Sequence, residues 1–138
     1  MNRLACGLPL IAAGALIVGA CGGGVGAAAS TRQTIVIHYS HYTPDAITVP
    51  AGKPVTITLR NEDPIEHEWI VGPADVHERH RTGTEPYHDT VPSEVTVPAL
   101  STRVTTLTFD QPGELLYICH LPGHEVYGMV GTVRVVKG

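Results

Sequence analysis

Residues 55–60, Val-Thr-Ile-Thr-Leu-Arg, alternate apolar and polar side chains with period two, which commits this segment to a sheet with one face buried and the other wet. Comparable runs rich in β-branched residues occupy 33–39, 46–49, 67–71, 94–97, 103–109, 114–119 and 129–136. They are separated by turn formers such as Pro50-Ala51-Gly52, Asn61-Glu62-Asp63-Pro64 and Gln111-Pro112-Gly113. About eight short strands without a convincing long helix predict an all-β fold, an antiparallel β-sandwich. The exception is a polar insertion at 73–93, where one or two helical turns run into a loop through Pro86 and Pro92.

The amino terminus follows a different logic. Met1-Asn2-Arg3, an apolar run over 8–18, and Val18-Gly19-Ala20-Cys21 have the basic, hydrophobic and small-residue order of a secretory signal, and the apolar run is short for a membrane span. Cys21 directly after Gly19-Ala20 resembles a bacterial lipobox, which implies cleavage before Cys21 and lipidation of its sulfur. An ordinary signal cleaved within 27–29 is the plainer alternative. The expected layout is a signal at 1–20, a Gly/Ala-rich tether at 21–32 and one domain at 33–138. The 118 residues left after cleavage suffice for a single core and not for two. A formal net charge of −4 gives no reason to expect a nucleic-acid partner.

Of three cysteines, Cys6 lies in the signal and Cys21 is assigned to lipid, which leaves Cys119 as an exported thiol without a disulfide partner. Coordination of a metal explains such a thiol, because the bound thiolate is shielded from oxidation. Cys119, His124 and Met129 stand at five-residue intervals in one short loop, Tyr117-Ile118-Cys119-His120-Leu121-Pro122-Gly123-His124-Glu125-Val126-Tyr127-Gly128-Met129. A thiolate, an imidazole and a weak thioether, completed by a second imidazole, are the ligand set of a blue-copper electron-transfer centre. His67, at the start of its own strand, is the best source of that imidazole.

The Tyr117, Cys119, Pro122-Gly123-His124 and Gly128-Met129 pattern, with His67 six residues after Asn61, resembles the cupredoxin family of small blue copper proteins over roughly 33–136. The resemblance implies a Greek-key sandwich and one type 1 copper ion held by His67, Cys119, His124 and Met129, with the His124 edge reaching an apolar surface patch. One departure stands out: the residue after the first His ligand is often Asn in that family and braces the Cys loop, whereas here it is Glu68. Ile118 before Cys119, and the absence of a second Cys in the loop, separate the pattern from trinuclear and binuclear copper sites. Glu62, Asp63, Glu66, Glu68 and Glu125 lie close in sequence to these ligands and are expected to favour Cu(II) wherever they approach the metal.

Among the other histidines, alternation along the strand points His120 away from the copper. His77, His80 and His88 fall in the polar insertion; Glu78, Arg79 and Arg81 around the first two look like ordinary surface, so the group reads as solvated loop, with a second metal site on a shared helical face as the alternative. No catalytic motif is visible. The expected protein is therefore a non-enzymatic, monomeric one-electron carrier, anchored by lipid at the outer face of a bacterial membrane and serving redox partner proteins, with copper delivery or storage as the competing role.

Overall fold

The computed structural model describes residues 28–83 and 91–138. The signal, Cys21 and His88 lie outside these residues. Among those described, nine strands and one helix run in the order β1 (Arg32–His38), β2 (His41–Thr43), β3 (Ala46–Pro50), β4 (Pro54–Asn61), β5 (His67–Gly72), α1 (Ala74–Thr82), β6 (Glu94–Val97), β7 (Thr102–Thr108), β8 (Gly113–Ile118) and β9 (Val130–Val136). They form two sheets, ordered β2-β1-β4-β7 and β3-β9-β8-β5-β6. The expected sandwich is present, and the alternation read at 55–60 appears in β4 as buried Val55, Ile57 and Leu59.

The sheets are mixed rather than purely antiparallel, because β1 pairs parallel with β4 and β3 parallel with β9. The cause is the path of the chain. After β1 and β2 it crosses to the other sheet as β3 and returns as β4, so that β4 lies beside β1 in the same direction. Side chains from both inner faces fill the core, chiefly Trp69, Tyr117, Ile35, Ile37, Ile57, Leu59 and Val133. At Gly131 a Cβ would stand 2.2 Å from Tyr117 Cζ, so the glycine makes room for that buried ring.

One element was not legible in the sequence, and another was read only in outline. β2 is a three-residue strand paired with β1 through a tight turn at Tyr39 and Ser40, whose φ values are 51° and 56°. Neither residue is the Gly or Asn that such a turn favours. The polar insertion supplies a full helix, α1, closed by Gly83 in the left-handed conformation and carrying an Asp75–Arg79 ion pair. This helix covers the outer face of β5: a Cβ on Gly72 would lie 3.0 Å from Val76. Ile70 is therefore buried even though it faces away from the sandwich core.

Candidate metal centre

Three of the four expected ligands sit at strand ends, and His124 lies in the loop between two of them. His67 opens β5, Cys119 follows the last residue of β8, and Met129 immediately precedes β9. Between them the chain folds back on itself in short turns, with His124 N–H donating to Leu121 O at 3.0 Å and Tyr127 N–H to Gly123 O at 3.1 Å. Gly123 and Gly128 take φ of 86° and 93°, a conformation that side-chain-bearing residues avoid. The loop closes where Met129 N–H donates to His124 O at 3.0 Å and Cys119 N–H donates to Met129 O at 3.2 Å.

Folding brings three donors together. The ligand atoms of His67, Cys119 and His124 all lie within 4.8 Å of one another. His67 Nδ1 is 3.2 Å from His124 Nδ1, and Cys119 Sγ is 3.3 Å from the same nitrogen. Two nitrogens about 3 Å apart suit a common ion bound at about 2.0 Å from each. His67 and Cys119 are fully buried, and His124 is half-buried at the surface end. Met129 is fully buried in the core beside them, its main chain bonded to both Cys119 and His124.

The surroundings prepare these groups. Burial pushes the Cys119 thiol up to about 11, against the pull of the Glu68 N–H that reaches its sulfur at 3.3 Å. An ion must therefore displace a proton from the sulfur to bind it. The main-chain N–H of Glu68 thus braces the sulfur, so this contact does not depend on the missing Asn side chain. Burial likewise holds the His67 imidazolium below its ordinary range, which keeps a lone pair available for coordination.

Sequence reasoning named Asp63 only as one of several nearby carboxylates and missed what it holds. Its carboxylate accepts from Tyr39 N–H at 2.7 Å and Ser40 N–H at 2.8 Å, which holds the β1–β2 turn, and it lies 2.9 Å from His67 Nε2. With the Nε2 proton directed at Asp63, the lone pair of His67 is left on Nδ1, the nitrogen facing His124 and Cys119. Burial alone would raise the Asp63 carboxyl, but these donors outweigh it and leave it below the usual carboxylate range. Asn61 fixes this segment in turn: its side-chain amide donates to Ile65 O and Pro98 O at 2.7 and 3.0 Å, and its Oδ1 accepts from Asp63 N–H. A carboxylate four residues before a ligand His was the available signal.

His120 turns to the outer face, as alternation predicts, but it does not enter solvent. Its Nε2 lies 3.0 Å from His77 Nδ1, and its ring stacks on His80 with centroids 5.1 Å apart. The solvated-loop reading of His77 and His80 is corrected: His77 is 1% exposed and the His80 side chain 3%. The cause is α1, which lays these side chains inward over β5 and β8. Burial, followed by the neighbouring His77, pushes His120 down to about 4. Glu125 also belongs to this side, held by Arg81 at 2.5 Å and below the usual carboxylate range.

The fold agrees with comparisons to known proteins. The family model described as a Cupredoxin-like domain matches residues 9–133. The chain is 28% identical to the copper-resistant cuproprotein CopI of Pseudomonas aeruginosa, over 79% of this chain and 78% of that one. It is 29% identical to CopI of Rubrivivax gelatinosus, over 80% and 70%. Auracyanin from Roseiflexus castenholzii superposes with a TM-score of 0.68 at 22% identity, over 79% of this chain and 99% of that one. Auracyanin A from Chloroflexus aurantiacus, a "blue" copper protein, gives a TM-score of 0.60 at 24% identity, over 76% and 98%. The chain belongs to the cupredoxin-like family.

Proposed function

We propose that this cupredoxin-like protein carries single electrons on one copper ion, which His67, Cys119, His124 and Met129 would hold. The observation that carries this reading is the convergence of a buried cysteine sulfur and two imidazole nitrogens within 4.8 Å. These donors suit copper: the soft thiolate favours Cu(I), and imidazole accepts either oxidation state. When bound, copper supplies a Cu(I)/Cu(II) couple. The chain's part is to keep its donors in place during that cycle. Strand ends and the Asp63 and Glu68 bonds fix His67 and Cys119, so a change of charge demands little movement. Val126 and Tyr127, 88% and 77% exposed on the His124 loop, offer an apolar surface for a redox partner. Export and attachment through Cys21 would place that exchange at a membrane surface. No helix among the described residues is long and apolar enough to cross a membrane.

The test is the visible and electron paramagnetic resonance spectrum of the copper-loaded protein. An intense thiolate-to-copper absorption, abolished in Cys119→Ser, is the expected result; copper uptake without that band, or its survival in the variant, overturns the assignment. Copper delivery is a second reading, favoured by the copper-resistant relatives. Rapid loss of copper to a competing Cu(I) chelator supports delivery, and retention supports the electron carrier.

A further inference from the structure

The outer face of the Cys119 loop carries another pair of imidazoles, and its hydrogen bonding fixes where the lone pairs point. His77 Nε2 lies 3.2 Å from Gly72 O and 3.3 Å from Leu116 O. Carbonyls only accept, so Nε2 carries the proton and the lone pair of His77 is on Nδ1. His120 Nδ1 faces Glu125 Oε2 at 3.6 Å, and a proton on that nitrogen suits the carboxylate and leaves the lone pair on Nε2. The two bare nitrogens then meet at 3.0 Å. They repel unless something positive lies between them. Shifting the His120 proton to Nε2 bridges the pair, but it turns a lone pair toward the Glu125 carboxylate.

The geometry points to a second metal site, in which His77 Nδ1 and His120 Nε2 bind one divalent transition ion of the kind imidazole prefers, zinc or Cu(II). Bonds of about 2.0–2.1 Å to two nitrogens at this separation meet at roughly 95°, which suits tetrahedral or tetragonal ions and excludes the linear arrangement of two-coordinate Cu(I). Each ligand has its outer nitrogen against an acceptor, main-chain carbonyls for His77 and Glu125 for His120, the usual support of a metal-binding imidazole. His67 has the same arrangement, with Nε2 on Asp63 and Nδ1 3.2 Å from His124 Nδ1. His80 stacks on His120 with 22° between the rings and holds its orientation. Because His120 follows Cys119 directly, the two sites share one stretch of backbone.

The experiment loads the full chain with a single equivalent of copper, confirms the thiolate band, adds zinc, and measures bound zinc by equilibrium dialysis with elemental analysis. One further equivalent of zinc is expected with the band unchanged, and zinc-edge X-ray absorption of that sample should show two imidazoles. His77→Gln and His120→Gln should each abolish the second equivalent while the band persists, and His38→Gln, at an exposed site, should keep it. No zinc beyond the copper, zinc with no imidazole, or zinc binding that survives both variants overturns the proposal. The thiolate band reports on the first centre alone, so its absence counts against the copper assignment and not against this one. The wild-type X-ray absorption result needs no variant to fold.

Discussion

Two imidazole pairs flank one short stretch of chain, His67 with His124 on the core side of Cys119 and His77 with His120 on the outer side. The nitrogen separations are alike, 3.2 and 3.0 Å. What holds the pairs differs. The core-side pair rests on the sandwich and on Asp63, which also clamps the β1–β2 turn, so it is built into the part of the molecule that folds as a unit. The outer pair depends on a nine-residue helix with polar surroundings, laid over β5 and tied to the loop by Arg81 and Glu125. Similar donor spacing can thus come from the core of a fold or from an addition to its surface, and only the second can be loosened without disturbing the rest.

Asp63→Ala tests the core-side half of the comparison and should have the largest effect. It leaves the Tyr39 and Ser40 N–H groups without their acceptor in a turn that already costs about 1 kcal/mol per left-handed residue, and it removes the partner of buried His67. A loss of about 3 kcal/mol in urea unfolding is expected, together with copper affinity lower by about 10–100-fold, the usual effect of losing a bond behind a metal ligand. Asp63→Asn, which keeps an acceptor but removes the charge, should lose less stability and raise the reduction potential measured by voltammetry. An unchanged potential would mean that the carboxylate holds the turn without tuning the metal.

The same contrast explains what the sequence disclosed. The core-side centre was legible because its constraints are local: a five-residue spacing from Cys119 to His124 to Met129, glycines where the loop needs positive φ, and an alternating strand on either side. His67 lies far away in the chain; it stood out as a candidate at a strand start, and resemblance to a family singled it out. The role of Asp63 and the strand β2 were hidden because their link spans 23 to 24 residues and the turn at Tyr39-Ser40 lacks the usual residues, its conformation being held by a distant carboxylate. The outer pair failed for a related reason. Glu78, Arg79 and Arg81 mark α1 as surface, and only the packing of the helix over Gly72 reveals that His77 and His80 face inward.

Gly72→Ala probes that packing from the other side. A Cβ there meets Val76 Cβ and Cγ2 at 3.0 Å, so α1 must shift outward, with a stability loss of about 1–3 kcal/mol. The shift should weaken zinc binding at His77 and His120 and leave the thiolate-to-copper band in place. If the band moves as well, the two regions are coupled through the shared loop and the contrast drawn between them fails.

Arg81→Gln should have the smallest effect on stability. Arg81 binds both oxygens of Glu125 at 2.5–3.1 Å, yet the two side chains are 41% and 29% exposed, and solvent-exposed pairs of this kind contribute below about 1 kcal/mol. Its consequence for the outer pair should exceed its consequence for folding. With Arg81 gone, Glu125 has lost its strongest cationic partner and is freer to accept the His120 Nδ1 proton, so zinc affinity should rise while urea unfolding barely changes. A fall in affinity would show instead that Arg81 holds Glu125 in position against His120, in which case helix α1 supplies the second site with its geometry as well as its ligand.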